Sequence, residues 1–320
     1  MNRQYSLRSI ARVLHRSVST LSDEIARNSA NGVYDPEKAH AKARVRRQNA
    51  KYQAMKIVGN RALQHHIETL LFDDQSPRAI AGRLKKEHKK DASRRVSKES
   101  IYRYVGSVYG RLVEAYRKKK KNGNAKKRSQ SKGSLSDRVF IDKRPDSINR
   151  RRRLGNAEAD FIVSGKGGKG ILLVVVDRKS RAAFLELILK VTIANVHRAF
   201  QCIKKRFSEM RTLTLDNDIL FQRHKELEQL LGLKIYFCNP YHSWENGTVE
   251  NVNKYIRREI PKGSDLSHYT KQFIRNLEAK LNRRILEVLR FSTPEEVLER
   301  LRKQKMRLSA EKKRSGGCSD

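Results

Sequence analysis

The chain has 320 residues, room for about two domains of ordinary size plus extensions, and its 72 Lys and Arg against 34 Asp and Glu leave a net charge of +38. Self-repulsion on that scale calls for an anionic partner, nucleic acid phosphate or an acidic membrane surface. No run of 18 apolar residues suits a transmembrane helix, no apolar region follows Met1 as a secretory signal, and three scattered cysteines (Cys202, Cys238, Cys318) exclude a disulfide framework and a Cys-based zinc site.

Residues 1–50 read as a helix-turn-helix. Ser6 can cap a helix from Leu7 to Leu14, Arg16-Ser17 breaks it, and Ser17 caps a second helix running to about Arg27. Ile10, Leu14, Val18, Leu21 and Ile25 are spaced to form the seam between the two. Ser17, Ser19, Thr20, Ser22, Asp23 and Arg27 face outward, short polar groups and one cation suited to base edges and phosphates. Residues 60–116 hold a second helical unit for DNA binding or dimerisation. Ser76 caps a helix with Pro77 at its first position, Ile80 and Leu84 make its apolar face through Glu87, and Ser97 caps another with Ile101, Tyr104 and Val105 inward. Residues 117–150, opening on RKKKKNGNAKKRSQSK, read as a flexible basic linker able to lie on phosphates.

From 151 to 300 strand and helix patterns alternate, and a basic tail, 301–320, is expected to fray. Glu158–Val163, the apolar run Ile171–Val176, and Arg181–Leu189 predict an antiparallel meander, with SGKGGKG as the first hairpin turn. That glycine-rich turn joins two strands and lacks the Lys-Ser/Thr of a phosphate loop, so it is read as a hairpin alone. A helix with Val196, Phe200, Ile203 and Phe207 inward follows, then strand Thr212–Leu215, a helix near Lys225–Leu231, strand Lys234–Phe237, and a helix from about Trp244 to Glu259. The pattern is an α/β layer architecture.

In so basic a chain, acids within apolar surroundings need a reason. Asp160 lies mid-strand, Asp216 ends TLTL, and Glu250 sits on the last of these helices, with 33 residues between it and Asp216. Should they converge, three hard oxygen donors suit Mg²⁺ or Mn²⁺, and two such ions can support in-line attack on a phosphodiester. Glu250, Asn253 and Arg257 share one helix face, with Lys254 a second candidate for a phosphate. Asn217 either orients Asp216 or closes the turn, Trp244 reads as a packing anchor at the helix start, and Asn251 adjoins Glu250. Glu158 shares a strand face with Asp160 and could join the site, whereas Asp177 suits a turn.

The segments GNAEADFIV, VVVDRKSR, TLTLDN and IYFCNPYHSWENGTVENVNKYIRREIPKG resemble the integrase-type core of DDE transposases, specifically the insertion-sequence-thirty family. SLRSIARVLHRSVSTLSDEIARN and SPRAIAGRLKKE with RVSKESIYRYV resemble that family's two N-terminal DNA-binding units, so the resemblance runs from about residue 5 to 300. It implies a ribonuclease H-like core with a mixed five-stranded sheet, and Asp160, Asp216 and Glu250 as the metal-binding catalytic triad for two Mg²⁺ ions. It further implies cleavage and strand transfer at the terminal inverted repeats, with double-stranded DNA as partner. A homodimer or higher oligomer on DNA and a cytoplasmic, nucleoid-associated location are also expected. Family members place another helix before the first unit, so that unit is expected to be N-terminally truncated. Ala157 stands where they carry tryptophan. The alternative is a catalytically degenerate repressor that binds the same element ends.

Overall fold

In the computed structural model, which describes residues 5–29, 32–53, 55–119, 138–221, 223–239 and 242–315, capping side chains start most of the N-terminal helices. Ser6 accepts from the Ser9 amide to open α1 (Leu7–Val13), and Ser17 accepts from the Thr20 amide at 3.1 Å to open α2 (Val18–Asn28). The expected seam closes only partly. Ala11 is buried and Ile10, Leu21 and Ile25 are half-buried, but Leu14 and Val18, on either side of the left-handed His15 (φ 47), remain exposed. α3 (Pro36–Gln53) follows.

A second helical cluster comprises α4 (Lys56–Gly59), α5 (Arg61–Phe72), α6 (Pro77–Glu87), α7 (Lys98–Val105) and α8 (Arg111–Lys119). Ser76 and Ser97 cap α6 and α7 as anticipated, and Ile80, Leu84, Ile101 and Tyr104 are buried. They pack on Leu63, Ile67 and Leu71 of α5, whose spacing of four forms one apolar helix face.

The basic run at 120–132 lies outside the described residues, but the end of the expected linker is no linker. Residues 138–150 fold onto the sheet edge: Phe140 bridges Phe237, Ile141 and Ile148 are buried, and α9 (Asp146–Asn149) forms. The strands are β1 (Asn156–Val163), β2 (Ile171–Asp177), β3 (Ala183–Ile188), β4 (Thr212–Leu215) and β5 (Lys234–Phe237), in the order β3-β2-β1-β4-β5. β1, β2 and β3 are antiparallel, while β4 and β5 run parallel to β1. This is a mixed five-stranded α/β sheet, the strand count and mixture that the resemblance implied.

Alternation along the strands sends the two faces to different helices. Ala157, Ala159 and Phe161 face α10 (Ile193–Arg206) and α11 (His224–Leu231) through Val196, Phe200 and Leu227. Ile162, Leu172, Val174 and Val176 face α12 (Gly247–Glu259) and α13 (Lys271–Asn282) through Val249, Ile256 and Ile274. α12 begins after a 3₁₀ turn at Ser243–Asn246, later than the sequence suggested. Up to Ser315 the tail does not fray: α14 (Pro294–Ser315) runs to that point, held by Leu298 in the core and by Arg302, whose Nε donates to Glu209 at 2.9 Å, while 316–320 lie outside the described residues.

Candidate active site

The parallel register of β1 and β4 aligns Ala159 with Leu215, so the next residue on each strand is an aspartate, Asp160 and Asp216. Both carboxyls are pushed up. Asp216 rises to about 7, first through burial and then through the negative charges of Asp160 and Asp218. Asp160 rises to about 6, again chiefly by burial, with Asp218 and Glu250 adding like charge. Its Oδ1 accepts from the Phe161 amide at 2.8 Å and its Oδ2 from Asn253 Nδ2 at 2.6 Å. Burial and like charge disfavour ionisation, while these two bonds favour it.

Glu250 sits half-buried in the first turn of α12. The helix has no local side-chain cap at Asn246. Instead Glu158, fully buried on β1, accepts from Thr248 N at 2.8 Å, Val249 N at 3.1 Å and Thr248 Oγ1 at 2.9 Å. Arg178 Nε stands 3.1 Å from Glu158 Oε1 as its counter-charge. Glu158 therefore does not join the acids as a further donor; it docks the helix that carries Glu250. Asn246 Nδ2 adds a bond of 3.2 Å to Ala159 O. Asp177 takes the turn role read for it, accepting from Gly155, Lys179 and Ser180 amides.

Asn217 does not orient Asp216. Its Nδ2 donates to Cys238 O at 2.9 Å and its Oδ1 accepts from Arg138, tying β4 to β5 and the edge segment, while Asp216 Oδ1 accepts from the Asp218 amide at 3.3 Å. Asp218 is the acid that sequence reading passed over; its place two residues after Asp216, in the same turn, was the available signal. Arg257 is half-buried in the field of Asp160, with Nη1 at 3.4 Å from Pro261 O, whereas Asn251 and Lys254 are exposed. The side chain of Trp244, like Pro240 and Tyr241, lies outside the described residues. Ser17, Ser19, Thr20, Ser22 and Arg27 are all exposed on or beside α2, and the Ser17 hydroxyl also bonds those of Ser19 and Thr20.

The donor set suits a hard divalent cation by its chemistry: carboxylates near enough to raise one another's pKa, beside a buried Asn253 Oδ1 that has no hydrogen-bond partner. Among the described residues, no three His, Cys, Asp or Glu side chains are gathered closely enough to enclose an ion.

No family model matches the chain. The transposase for insertion sequence element IS4351 of Bacteroides fragilis is 36% identical over 306 residues, 92% of this chain and 90% of that protein. The chain belongs to the IS30 family of insertion-sequence transposases. The transposase for IS1086 of Cupriavidus metallidurans is 32% identical over 302 residues (92% of this chain, 88% of that one). The transposase InsI for IS30A of Escherichia coli is 30% identical over 317 residues (94% and 80%). Among solved structures, the catalytic core domain of BIV integrase overlays on 48% of this transposase and 98% of its own chain, at 18% identity and a TM-score of 0.37. Among the described residues no helix of the transposase is long and apolar enough to cross a membrane.

Proposed function

We propose that this transposase binds the terminal inverted repeats of its element as duplex DNA and cleaves and transfers strands at Asp160, Asp216 and Glu250, with two Mg²⁺ ions. One observation carries the reading: in a chain of net charge +38, two half-buried aspartates follow paired positions of neighbouring parallel strands, each raised first by loss of solvent and then by the other acids around it. Such crowding opposes folding and is the mark of a functional site.

When bound, the divalent ions would offset the acids' charge and polarise the phosphodiester toward attack, first by water and then by the freed 3′-hydroxyl. The protein's part is positional. Asn253 holds one carboxylate oxygen of Asp160, and α12, docked through Glu158, holds Glu250 against the same strand. Arg257, already in the field of Asp160, and exposed Lys254 meet the phosphates flanking the bond to be cut. Ser17, Ser19, Thr20, Ser22 and Arg27 present the recognition face of α2 to the duplex. Strand transfer at two ends calls for at least two protomers, so the active form is a homodimer or higher oligomer on DNA, acting in the nucleoid of the cytoplasm.

The test is incubation with duplexes carrying the element's ends, with and without Mg²⁺, scored for nicking and end joining. Glu250→Gln should abolish both and leave binding intact. Specific binding without metal-dependent cleavage by the wild type would overturn the enzymatic reading in favour of a DNA-binding repressor.

A further inference from the structure

We infer that Glu158 is a positioning residue for the acids of the active site, an inference that rests on the metal reading proposed above. The link it makes lies two residues before an acid on both elements: Glu158 precedes Asp160 on β1, and Thr248 precedes Glu250 on α12. A strand has a side-chain period of two, so Glu158 and Asp160 project from the same face of β1 toward the same helix. Two orphan amides of the helix N-terminus, Thr248 N and Val249 N, converge on one Glu158 oxygen, and the helix offers no cap of its own. The contact is enclosed, since Glu158 is 0% exposed and Arg178 only 6%. Arg181 Nη1, from the β2–β3 turn, donates to the same Thr248 hydroxyl at 2.9 Å. A buried carboxylate carries a heavy desolvation penalty unless fully paired, so apolar packing would hold this helix at least as well if holding were all that mattered. A charge that reads the helix end sets its depth and rotation against β1, which is what the separation of Glu250 from Asp160 depends on.

The experiment uses the full-length chain without DNA, titrated with MnCl₂ by calorimetry, with amide hydrogen exchange read at 248–250. Glu158→Gln keeps the shape and one acceptor but loses the charge, Glu158→Ala removes both, and Ile256→Val loosens α12 packing far from the link. Loss of an outer partner of a ligand costs roughly 10–100-fold in metal affinity. Both Glu158 variants should therefore weaken Mn²⁺ binding by about tenfold or more, Gln less than Ala, and speed exchange at 248–250. Ile256→Val should leave Mn²⁺ affinity near that of the wild type. Wild-type affinity in both Glu158 variants, or an equal loss in Ile256→Val, would overturn the inference. Absence of Mn²⁺ binding by the wild type would overturn the metal reading beneath it.

At the starting ends of β1 and β4, away from the acids, a cleft of about 550 Å³ opens against α14. Arg152, Arg153, Lys179, Arg211 and Lys305 line it, with Glu209 as the acid among them. Glu209 is engaged by Arg302, at 2.9 Å from Nε and 3.1 Å from Nη2. We propose that this cleft seats the sugar–phosphate backbone of duplex DNA at a second place on the core. Three forked guanidinium groups suit phosphate oxygens, and five or six strand residues put the cleft roughly 15–20 Å from Asp160 and Asp216. In the triple variant Arg152→Ala/Arg153→Ala/Arg211→Ala, the log–log salt slope of duplex binding by fluorescence anisotropy should become shallower by about 0.9 for each phosphate left without its cation. A slope equal to that of the wild type would overturn the proposal.

Discussion

Asn253 reaches from α12 to β1 and donates through Nδ2 to Asp160 Oδ2 at 2.6 Å, while its own Oδ1 is buried without a hydrogen-bond partner. One side chain thus holds an acid of the strand from the helix that bears Glu250. On the metal reading proposed above, Asn253→Ala should reduce cleavage by about tenfold or more, the usual cost of losing a group that orients a metal ligand. The missing bond nets only about 1 kcal/mol, so Tm should fall by no more than roughly 2–4 °C. Parallel cleavage assays and thermal melts separate the two effects.

The acids stand against stability. Asp216, raised from 3.8 to about 7 by burial and by Asp160 and Asp218, resists ionisation in the fold, so above pH 7 its charge destabilises the native state. Asp216→Asn should stabilise the metal-free protein at pH 8 by at least about 1 kcal/mol, a rise in Tm of roughly 2–4 °C. Calorimetry in EDTA checks this, and the same variant should fail to cleave DNA.

The second helical cluster is clamped to the core by Arg83. Its Nη1 and Nη2 meet Glu296 at 2.7 and 2.6 Å, and the Glu296 carboxyl falls to about 2, mainly through that bond. A depressed carboxyl contributes stability above its usual value of 4.5 and loses it as pH falls toward 2. Glu296 is partly exposed, so the contribution is screened to about 1 kcal/mol or less. Glu296→Gln should melt below the wild type at pH 6, and the gap should close between about pH 4.5 and 2 as the wild type gives up the pair.

Close by, Phe291 lies where a Cβ on Gly82 would have to sit, and both Arg290 and Phe291 are left-handed, φ 53 and 58. Gly82→Ala should force the ring out of place and cost about 1–3 kcal/mol. Gly82→Ala/Phe291→Ala should lose less than the sum of the two single variants, because the clash disappears with the ring. A double-mutant cycle by denaturant unfolding measures this.

Much of the site was legible from local chemistry. Asp160 and Asp216 stood out because acids in or ending apolar strands of a +38 chain have few bland explanations, and Glu250, Asn253 and Arg257 shared a helical face by spacing alone. The caps Ser6, Ser17, Ser76 and Ser97 were equally local, and each opens a helix. Less legible were Glu158 and Asn217, whose partners Thr248 and Cys238 lie 90 and 21 residues away. Their roles depend on pairings that no short window contains.

Composition and periodicity determined the charge, the strand and helix order, and which residues are candidates for the chemistry, because each follows from a residue and its near neighbours. Tertiary structure alone decided that residues 138–150 seal the sheet edge, that α14 continues into the basic tail as far as Ser315, and that a buried glutamate joins β1 to α12. The reason is physical. Desolvation and ion pairing depend on what surrounds a group in space, and in this chain those surroundings come from segments far apart in sequence.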